Sequence, residues 1–225
     1  MLKTEAPQRA IEHRRHLERL LAGQKRILEM IALDEPLTAT LDAITSLIEA
    51  QSSAIICSIM VASDDGRTLN CASGGRLPAE YAAALKGIPV GPDTGSCGTA
   101  AALKQRVITS DIATDPKWQG YAELANRNGL YACWSQPVLD SQGEVLGTFA
   151  IYYNEPSEPT EEHFELIEVA SHLVEICLAR ARARSRRQQL LARAANTLAE
   201  VNSRPGLSQD IRSALSSVET QLRLV

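Results

Sequence analysis

The sequence predicts an α+β domain built around an antiparallel sheet. Strand-like segments come in pairs joined by short turns, at residues 54–62 with 67–75 and at residues 130–139 with 144–153. Such hairpins outnumber the long crossovers that a parallel sheet needs. Apolar residues at helical spacing dominate both ends of the chain. Of the 225 residues, 44% are hydrophobic, which is enough for a substantial core.

Two amphipathic helices are predicted before the first strand. In residues 8–33, leucine and isoleucine recur at steps of three and four with charges between them, which indicates a helix with one apolar stripe. Because this helix precedes the core, we expect its stripe, including Leu28 and Ile31, to pair with a partner helix. Residues 34–51 predict the second helix.

The segment "GSCGT", residues 95–99, is predicted to form a tight loop that feeds an alanine-rich helix. Before it we expect a short helix that ends at Gly87 and then an extended piece. A short strand and a further helix are predicted at residues 106–112 and 118–126.

One long helix is predicted from Glu161 to about Ser203, with Thr160 placed to cap it. Residues 204–206, Arg-Pro-Gly, break this helix, and a last amphipathic helix follows.

Charge and composition exclude several classes of protein. A net charge of −4 argues against broad neutralisation of nucleic-acid phosphates, and two Phe and two Trp leave little for base stacking. There is no apolar run of about 18 residues and no N-terminal signal core, so we expect no membrane partner and a cytoplasmic location. The five cysteines lack C-x-x-C spacing and nearby histidines, which predicts reduced thiols and no metal site.

Three stretches carry a family resemblance: "GSCGTAAALKQRVITSDIATDPKW", "GLYACWSQPVLDSQGEVLGTFAIYY" and "EPTEEHFELIEVASHLVEICLAR". Their order resembles a GAF domain of the subtype found in bacterial signalling proteins beside GGDEF, EAL or histidine-kinase modules. The resemblance implies a central antiparallel sheet of about six strands with helices on both faces. Helices from the two ends of the domain would cover one face, and shorter helices and loops would form a pocket on the other.

The resemblance also implies a division of the chain into three parts. Residues 1–33 would be a signalling and dimerisation helix, residues 34–180 the GAF sensor domain, and residues 181–225 a C-terminal helical extension.

The well-defined ligand subtypes of GAF domains do not match. Cys133 is followed by Trp134 rather than by the histidine of bilin-binding members. "TSDIATDP" lacks the Asn-Lys-Phe-Asp-like motif of cyclic-nucleotide members, and all four histidines lie on the flanking helices rather than at a haem pocket. The cofactor and the ligand therefore stay unidentified.

Free-methionine-sulfoxide reductases, which resemble GAF domains, share the Gly-x-Cys-Gly-Thr-Ala motif. They also need a catalytic cysteine in the loop after the following strand. The matching segment here, residues 110–129, contains no cysteine, so we expect no enzymatic activity and no catalytic residue.

The candidate ligand-binding residues cluster in the middle of the chain: Ser96, Cys97, Gly98, Thr99, Asp111, Trp118, Tyr121, Tyr131 and Cys133. Backbone N–H groups at the start of the 95–102 helix suit an anion or a carbonyl oxygen, although the glycines also suit a sharp turn. The segment with Asp111, Trp118 and Tyr121 is a candidate lid. Strand alternation places Tyr131, Cys133 and Ser135 on one face, as a pocket wall or as packing.

We therefore expect a sensor in which a small ligand shifts the paired flanking helices of a homodimer, a coiled-coil arrangement that an output domain or signalling partner reads. One alternative is a thiol-based redox sensor or a methionine-sulfoxide-reductase-like enzyme that uses Cys97 and Cys133. Another is a structural dimerisation module whose pocket is filled by its own side chains. A cavity under about 100 Å³ would favour that last alternative, since ligand clefts run to a few hundred.

Overall fold

The computed structural model describes residues 5–203 and 205–223, and these form the predicted α+β fold. The helices are α1 (Glu5–Ala32), α2 (Leu37–Glu49), α3 (Ala79–Ala84), α4 (Gly95–Leu103), α5 (Ala122–Arg127), α6 (Glu161–Asn202) and α7 (Gln209–Arg223). The strands are β1 (Ile56–Ala62), β2 (Thr68–Ser73), β3 (Lys86–Pro89), β4 (Val107–Thr109), β5 (Ala132–Leu139) and β6 (Val145–Tyr153). A 3-10 turn, Pro116–Trp118, precedes α5. The chain forms two compact units, Met1–Leu178 and Ala179–Val225.

All six strands belong to one antiparallel sheet in the order β3-β2-β1-β6-β5-β4. The two predicted hairpins, β1–β2 and β5–β6, meet at the centre through the pairing of β1 with β6. In that register Ser58 lies opposite Ala150, and Cys133 lies opposite Tyr152. The expected antiparallel sheet of about six strands is confirmed.

Side chains alternate along each strand, so the sheet has two distinct faces. We call the side covered by α2 and α6 the helix face; it carries Ile59, Trp134, Phe149 and Ile151. We call the opposite side, covered by α3 and α4, the α4 face; it carries Ser58, Cys133, Ser135, Thr148 and Tyr152. The helix face carries mainly large apolar side chains, with the buried Trp134 Nε1 as a polar atom without a hydrogen-bond partner, whereas the α4 face is rich in hydroxyl and thiol groups.

The apolar residues of α1 divide between two sides of the helix. Ile27 and Ile31 are buried inside the first unit, so the expectation that Ile31 faces a partner helix is wrong. α1 packs against α2, and an amphipathic helix turns its apolar side towards such a neighbour. Leu17, Leu21 and Leu28 stay exposed and form the remaining apolar stripe.

The "GSCGT" segment is helical from Gly95 onward, so the predicted loop at residues 95–99 is wrong. Its glycines serve different purposes. Gly95 begins the helix at a φ of +65°, which other residues rarely adopt. At Gly98 a Cβ atom would clash with the Thr94 side chain and lie 2.5 Å from the carbonyl oxygen of Pro89. The second glycine is therefore required for close packing rather than for a turn.

Gly87 lies inside β3 rather than at the end of the preceding helix, because α3 already ends at Ala84. Its φ is +69°, and its N–H donates to Asn70 Oδ1 at 3.0 Å where the β2–β3 register shifts. This is a glycine bulge in an edge strand. It lets β3 follow α3 directly, so that β3 joins the edge of the sheet while α3 lies over the α4 face.

Candidate functional site

A partly enclosed cavity of about 40 Å³ lies between the α4 face and the segment that runs from the 3-10 turn into α5. Four aromatic side chains line it: Tyr81, Trp118, Tyr121 and Tyr152. The remaining lining residues are Met60, Ala84, Leu85, Ile88, Thr94, Gly95, Ser96, Cys97 and Leu124. The first turn of α4 therefore forms one wall, and β1 and β6 form the floor.

Ser96 is the hub of a buried hydrogen-bond network at this wall. Trp118 Nε1 donates to Ser96 Oγ at 3.1 Å, which fixes the plane of the indole ring against α4. The Ser96 hydroxyl in turn lies 3.1 Å from the Cys133 carbonyl oxygen and 3.1 Å from Thr109 Oγ1. Since a hydroxyl has one proton, Ser96 donates to one of these two oxygens at a time.

Asp115 anchors the other end of this network. Thr109 Oγ1 donates to Asp115 Oδ2 at 2.8 Å, and the Lys117 backbone N–H donates to Oδ1 at 2.9 Å. Partial burial raises the pKa of the Asp115 carboxyl, but the hydrogen bonds from Lys117 and Thr109 outweigh burial and leave the pKa below its usual value. Asp115 thus caps the 3-10 turn as an anion and holds Trp118 in place.

Cys97 and Cys133 form a buried thiol pair beside the cavity. The thiol of Cys133 donates a hydrogen bond to Cys97, which lowers the pKa of the Cys97 thiol despite its burial. Burial and the same contact raise the pKa of Cys133. Cys97 Sγ also lies 4.0 Å from Tyr152 Oη. Of the two sulfurs, Cys97 therefore has the greater thiolate character.

Thr99 Oγ1 on α4 is buried without a hydrogen-bond partner, which is uncommon in folded proteins because such a group loses its bond to water on burial. The buried hydroxyl groups of Ser135 and Thr148 under α4 interact with Cys97 and help to lower the pKa of its thiol. Together these groups make this side of the sheet the polar interior of the domain.

Four of the candidate residues, Ser96, Cys97, Trp118 and Tyr121, line the cavity, and Cys133 lies against it through Cys97. Gly98 and Thr99 are buried in α4 outside the lining. Asp111 accepts from Ala113 N and Thr114 Oγ1 within its own loop, and Tyr131 precedes β5; neither lines the cavity.

The sequence did not predict several of the lining residues, notably Met60, Tyr81, Leu85, Leu124 and Tyr152. Tyr152 could have been found, because the β5–β6 hairpin register places it opposite Cys133. Tyr81 could not, because its position depends on how α3 lies over the sheet. Its ring meets that of Tyr152 edge to face, with centroids 5.9 Å apart.

The cavity is much smaller than the few hundred Å³ of a usual ligand cleft. It is also below the size of about 100 Å³ under which a structural dimerisation module, with a pocket filled by its own side chains, is favoured. Trp118, one of the lining side chains, is 3% exposed. By the usual room of roughly 10–15 Å³ per water, the cavity holds only about three or four atoms.

Across residues 5–203 and 205–223, no group of three or more His, Cys, Asp or Glu side chains is placed to hold a metal ion. Within the same part of the chain, no helix is both long enough and apolar enough to cross a membrane.

A family model described as the GAF domain matches residues 32–179. The methyl sulfide methyltransferase-associated sensor of Methanosarcina acetivorans is 34% identical over 168 residues, which make up 75% of this chain. The chain spans only 17% of the length of that curated relative.

Solved structures share the fold at low sequence identity. The GAF domain of a phosphoenolpyruvate-protein phosphotransferase from Coxiella burnetii superposes with a TM-score of 0.60 at 20% identity, covering 75% of this chain and 97% of that one. The free methionine-R-sulfoxide reductase of Neisseria meningitidis gives 0.59 at 16% identity, covering 75% and 91%. Such identities show a common fold and leave the chemistry open.

Proposed function

This chain belongs to the GAF domain family, and from that premise we propose that it is a sensory module that binds a small ligand in the cavity beside Trp118. The family match and the relative named as a sensor support a sensing role. The proposed module is not an enzyme, because residues 110–129 offer no cysteine to attack a sulfoxide. The reductase with a similar fold is an enzyme, but the shared fold does not assign an enzymatic reaction to this chain.

The contact between Trp118 and Ser96 is the observation that carries this proposal. Trp118 is 3% exposed, and its indole N–H donates to the first turn of α4. A ligand group larger than a few atoms has to displace the ring, which strains the network through Thr109 to Asp115. Binding is therefore coupled to a change in the protein, which is what a sensor requires.

Two neighbouring residues of β6 connect the cavity to α6. Tyr152 lines the cavity, and the next residue, Tyr153, has its hydroxyl 2.6 Å from Nε2 of His163 in the first turn of α6. Because strand neighbours point to opposite faces, a shift of β6 at Tyr152 moves Tyr153 on the helix face. We propose this as the route from the ligand to the flanking helix.

The proposed output is the arrangement of paired flanking helices in a cytoplasmic homodimer. Leu17, Leu21 and Leu28 leave an exposed apolar stripe on α1, typical of a helix that pairs with another. A ligand can signal only if it favours one pairing over another, so tight binding alone is insufficient. An output domain or a signalling partner would read the difference.

The ligand site is tested by a matched pair of variants on α3. Ala84 lines the cavity and is exposed at its rim, whereas its neighbour Ala83 is exposed and does not line it. Ala84→Phe should fill the cavity and abolish ligand-induced thermal stabilisation in a screen of small metabolites, and Ala83→Phe should leave it intact. Equal responses from the two variants would place the ligand elsewhere.

The dimer is tested on the exposed stripe. Leu28→Asp should convert the dimer to a monomer in light scattering, because a charge in an apolar interface is costly. The control is Leu103→Asp, since Leu103 is 55% exposed on α4 and lies outside the stripe. A Leu28→Asp protein with the wild-type mass in solution would contradict the proposed interface.

A thiol sensor is the second candidate function, favoured by the contact between Cys97 and Cys133. Hydrogen peroxide would transfer one oxygen to the Cys97 thiolate to give a sulfenic acid, and its second oxygen would leave as water. The Cys133 sulfur would then attack the sulfenic sulfur and form the disulfide, and the sulfenic hydroxyl group would leave as a second water. The oxidant thus gains the two electrons that the two thiols lose.

Intact-mass analysis after mild peroxide treatment tests this candidate. A thiol sensor predicts the loss of two hydrogens, abolished by Cys97→Ser and retained in Cys57→Ser, since Cys57 is buried on the opposite face. Addition of oxygen without disulfide formation, or no reaction, would remove this candidate and leave the ligand sensor untouched.

A further inference from the structure

The cavity concentrates the aromatic residues of the chain. The sequence contains two Phe, two Trp and five Tyr, and four of these nine side chains line this one small space. Tyr81 and Tyr152 stand at 81° to one another, so their rings form a corner, and Trp118 and Tyr121 approach from the lid segment. Aromatic rings attract a cation through the negative potential of their faces, so four of them around one small space suit a cationic group.

None of the described residues that line the cavity is charged. A phosphate or a nucleotide would find no lysine or arginine there, and burying an unpaired anion is costly. Ring faces instead attract cations. Cys97, whose pKa is lowered by the hydrogen bond from Cys133, adds electron density to the same wall.

Two of the four aromatic residues have their polar atoms engaged within the protein. Trp118 Nε1 donates to Ser96, and Tyr152 Oη lies near Ser58 Oγ and Cys97 Sγ. These two rings are thus held in position, and their polar atoms are not needed for a ligand. At the edge of the cavity, the first turn of α4 has N–H groups that suit an oxygen substituent of the ligand.

The size of the cavity fits a compact head group. A space of about 40 Å³ holds roughly three or four heavy atoms. A trimethylammonium or dimethylsulfonium group has that size, and its charge is spread over methyl groups that need no hydrogen bonds.

We infer that the cavity is an aromatic cage for the methylated head of a small onium compound, with the rest of the ligand leaving past the first turn of α4. This inference rests on the proposed sensory function and names the ligand class for the same site. It also explains why a cavity of this small volume is sufficient, because only the head group of the ligand has to enter it.

Isosteric probe pairs test the inference by isothermal titration calorimetry on the full chain. Choline and 3,3-dimethylbutan-1-ol differ only in a nitrogen cation replaced by carbon, and so do glycine betaine and 3,3-dimethylbutanoate. The onium member of at least one pair should bind about 30-fold tighter than its isostere, which corresponds to the ~2 kcal/mol of a desolvated cation–π contact.

Variants of Tyr121 identify the cage as the site, because this half-buried residue can change with little risk to the fold. Tyr121→Phe keeps the ring and should keep the preference for the cation. Tyr121→Leu removes the ring and should lose most of that preference. Tyr131→Leu is the control, since Tyr131 is half-buried outside the lining.

The outcomes distinguish failure of the aromatic cage from failure of the proposed ligand-binding sensor. Equal affinities within both pairs, or an onium preference that survives Tyr121→Leu, would overturn the cage and leave a small-molecule site. If no onium compound binds but another metabolite does, and Ala84→Phe blocks it, the cage is again wrong while the sensor stands. If no metabolite of any class binds, both proposals fail.

Discussion

The two faces of the sheet have opposite character, although the same strands build both. On the helix face, Trp134, Phe149 and Ile151 are completely buried and pack under α2 and α6. On the α4 face, strands β1, β6 and β5 bury the hydroxyl groups of Ser58, Thr148 and Ser135, and α4 buries the Thr99 hydroxyl, which has no hydrogen-bond partner. A buried hydroxyl without a partner costs about 1–3 kcal/mol. The helix face therefore contributes mainly apolar packing, whereas the α4 face buries polar groups beside a cavity.

The largest expected effect lies on the helix face. Phe149→Ala should lower the free energy of unfolding by about 3–5 kcal/mol, because it empties a completely buried position. Urea denaturation followed by circular dichroism measures this loss. A cost below about 1 kcal/mol would mean that α2 and α6 collapse onto the sheet and that the helix face is not the main core.

A smaller loss is expected where α4 meets the chain that leads into it. Gly98→Ala should cost about 1–3 kcal/mol, since the new Cβ would meet the Thr94 side chain and the Pro89 carbonyl oxygen. The control is Gly91→Ala, where the nearest atom, Thr94 Cγ2, is 3.9 Å from the added Cβ. If the two variants unfold at the same urea concentration, the close approach at Gly98 is not needed.

On the α4 face a conservative change should stabilise the protein. Thr99→Val replaces a buried, unpartnered hydroxyl on α4 by a methyl group of similar size, so we expect a gain of about 1 kcal/mol. Thermal unfolding by calorimetry measures the change. A loss of similar size would show that the Thr99 hydroxyl has a partner, and the contrast between the faces would weaken.

The smallest effect concerns the start of α6 and depends on pH. His163 Nδ1 accepts the Thr160 backbone N–H at 3.0 Å, which requires an unprotonated nitrogen, and partial burial lowers the pKa of His163. Below the unfolded value of about 6.5, the unfolded chain binds the proton more readily than the folded chain, so stability falls as the pH drops through this window.

His163→Gln isolates that effect, because glutamine in this position accepts the same N–H without titrating. Wild-type protein should lose thermal stability between neutral pH and about pH 5, and the variant should lose less over the same range. Parallel curves would assign the pH dependence to other groups. Asp115 is distinguishable, since its lowered pKa acts only at more acidic pH.

Local patterns predicted most of the fold. Alternating segments and turn residues located β1, β2, β5 and β6, and helical spacing located α1, α2, α6 and α7. The errors lie where tertiary packing overrides local preference. Glycine disfavours helices, which predicts a loop at Gly98, but the close approach of Pro89 requires a glycine at this position inside α4. Helical spacing predicts an apolar stripe that contains Ile31, but spacing alone does not tell which side of α1 meets the core.

The cavity was predictable only in part. A motif and a nearby aromatic segment pointed to Ser96, Cys97, Trp118 and Tyr121. Tyr81 and Leu85 reach the same space from α3, some distance away in the sequence, and no periodicity reveals that contact. The volume is also a property of packing, because side chains from α3, α4, α5, β1 and β6 enclose it together.

The two tryptophans of this chain lie on opposite faces of the sheet, Trp118 at the cavity and Trp134 on the helix face. Fluorine NMR of protein labelled with 5-fluorotryptophan reports on both at once, with Trp118→Phe and Trp134→Phe to assign the signals. Titration with choline, and then with neutral and anionic metabolites, should give at least one compound that shifts the Trp118 resonance at concentrations that leave Trp134 unchanged. If every compound leaves the Trp118 resonance in place, the α4 face is not a ligand-binding face.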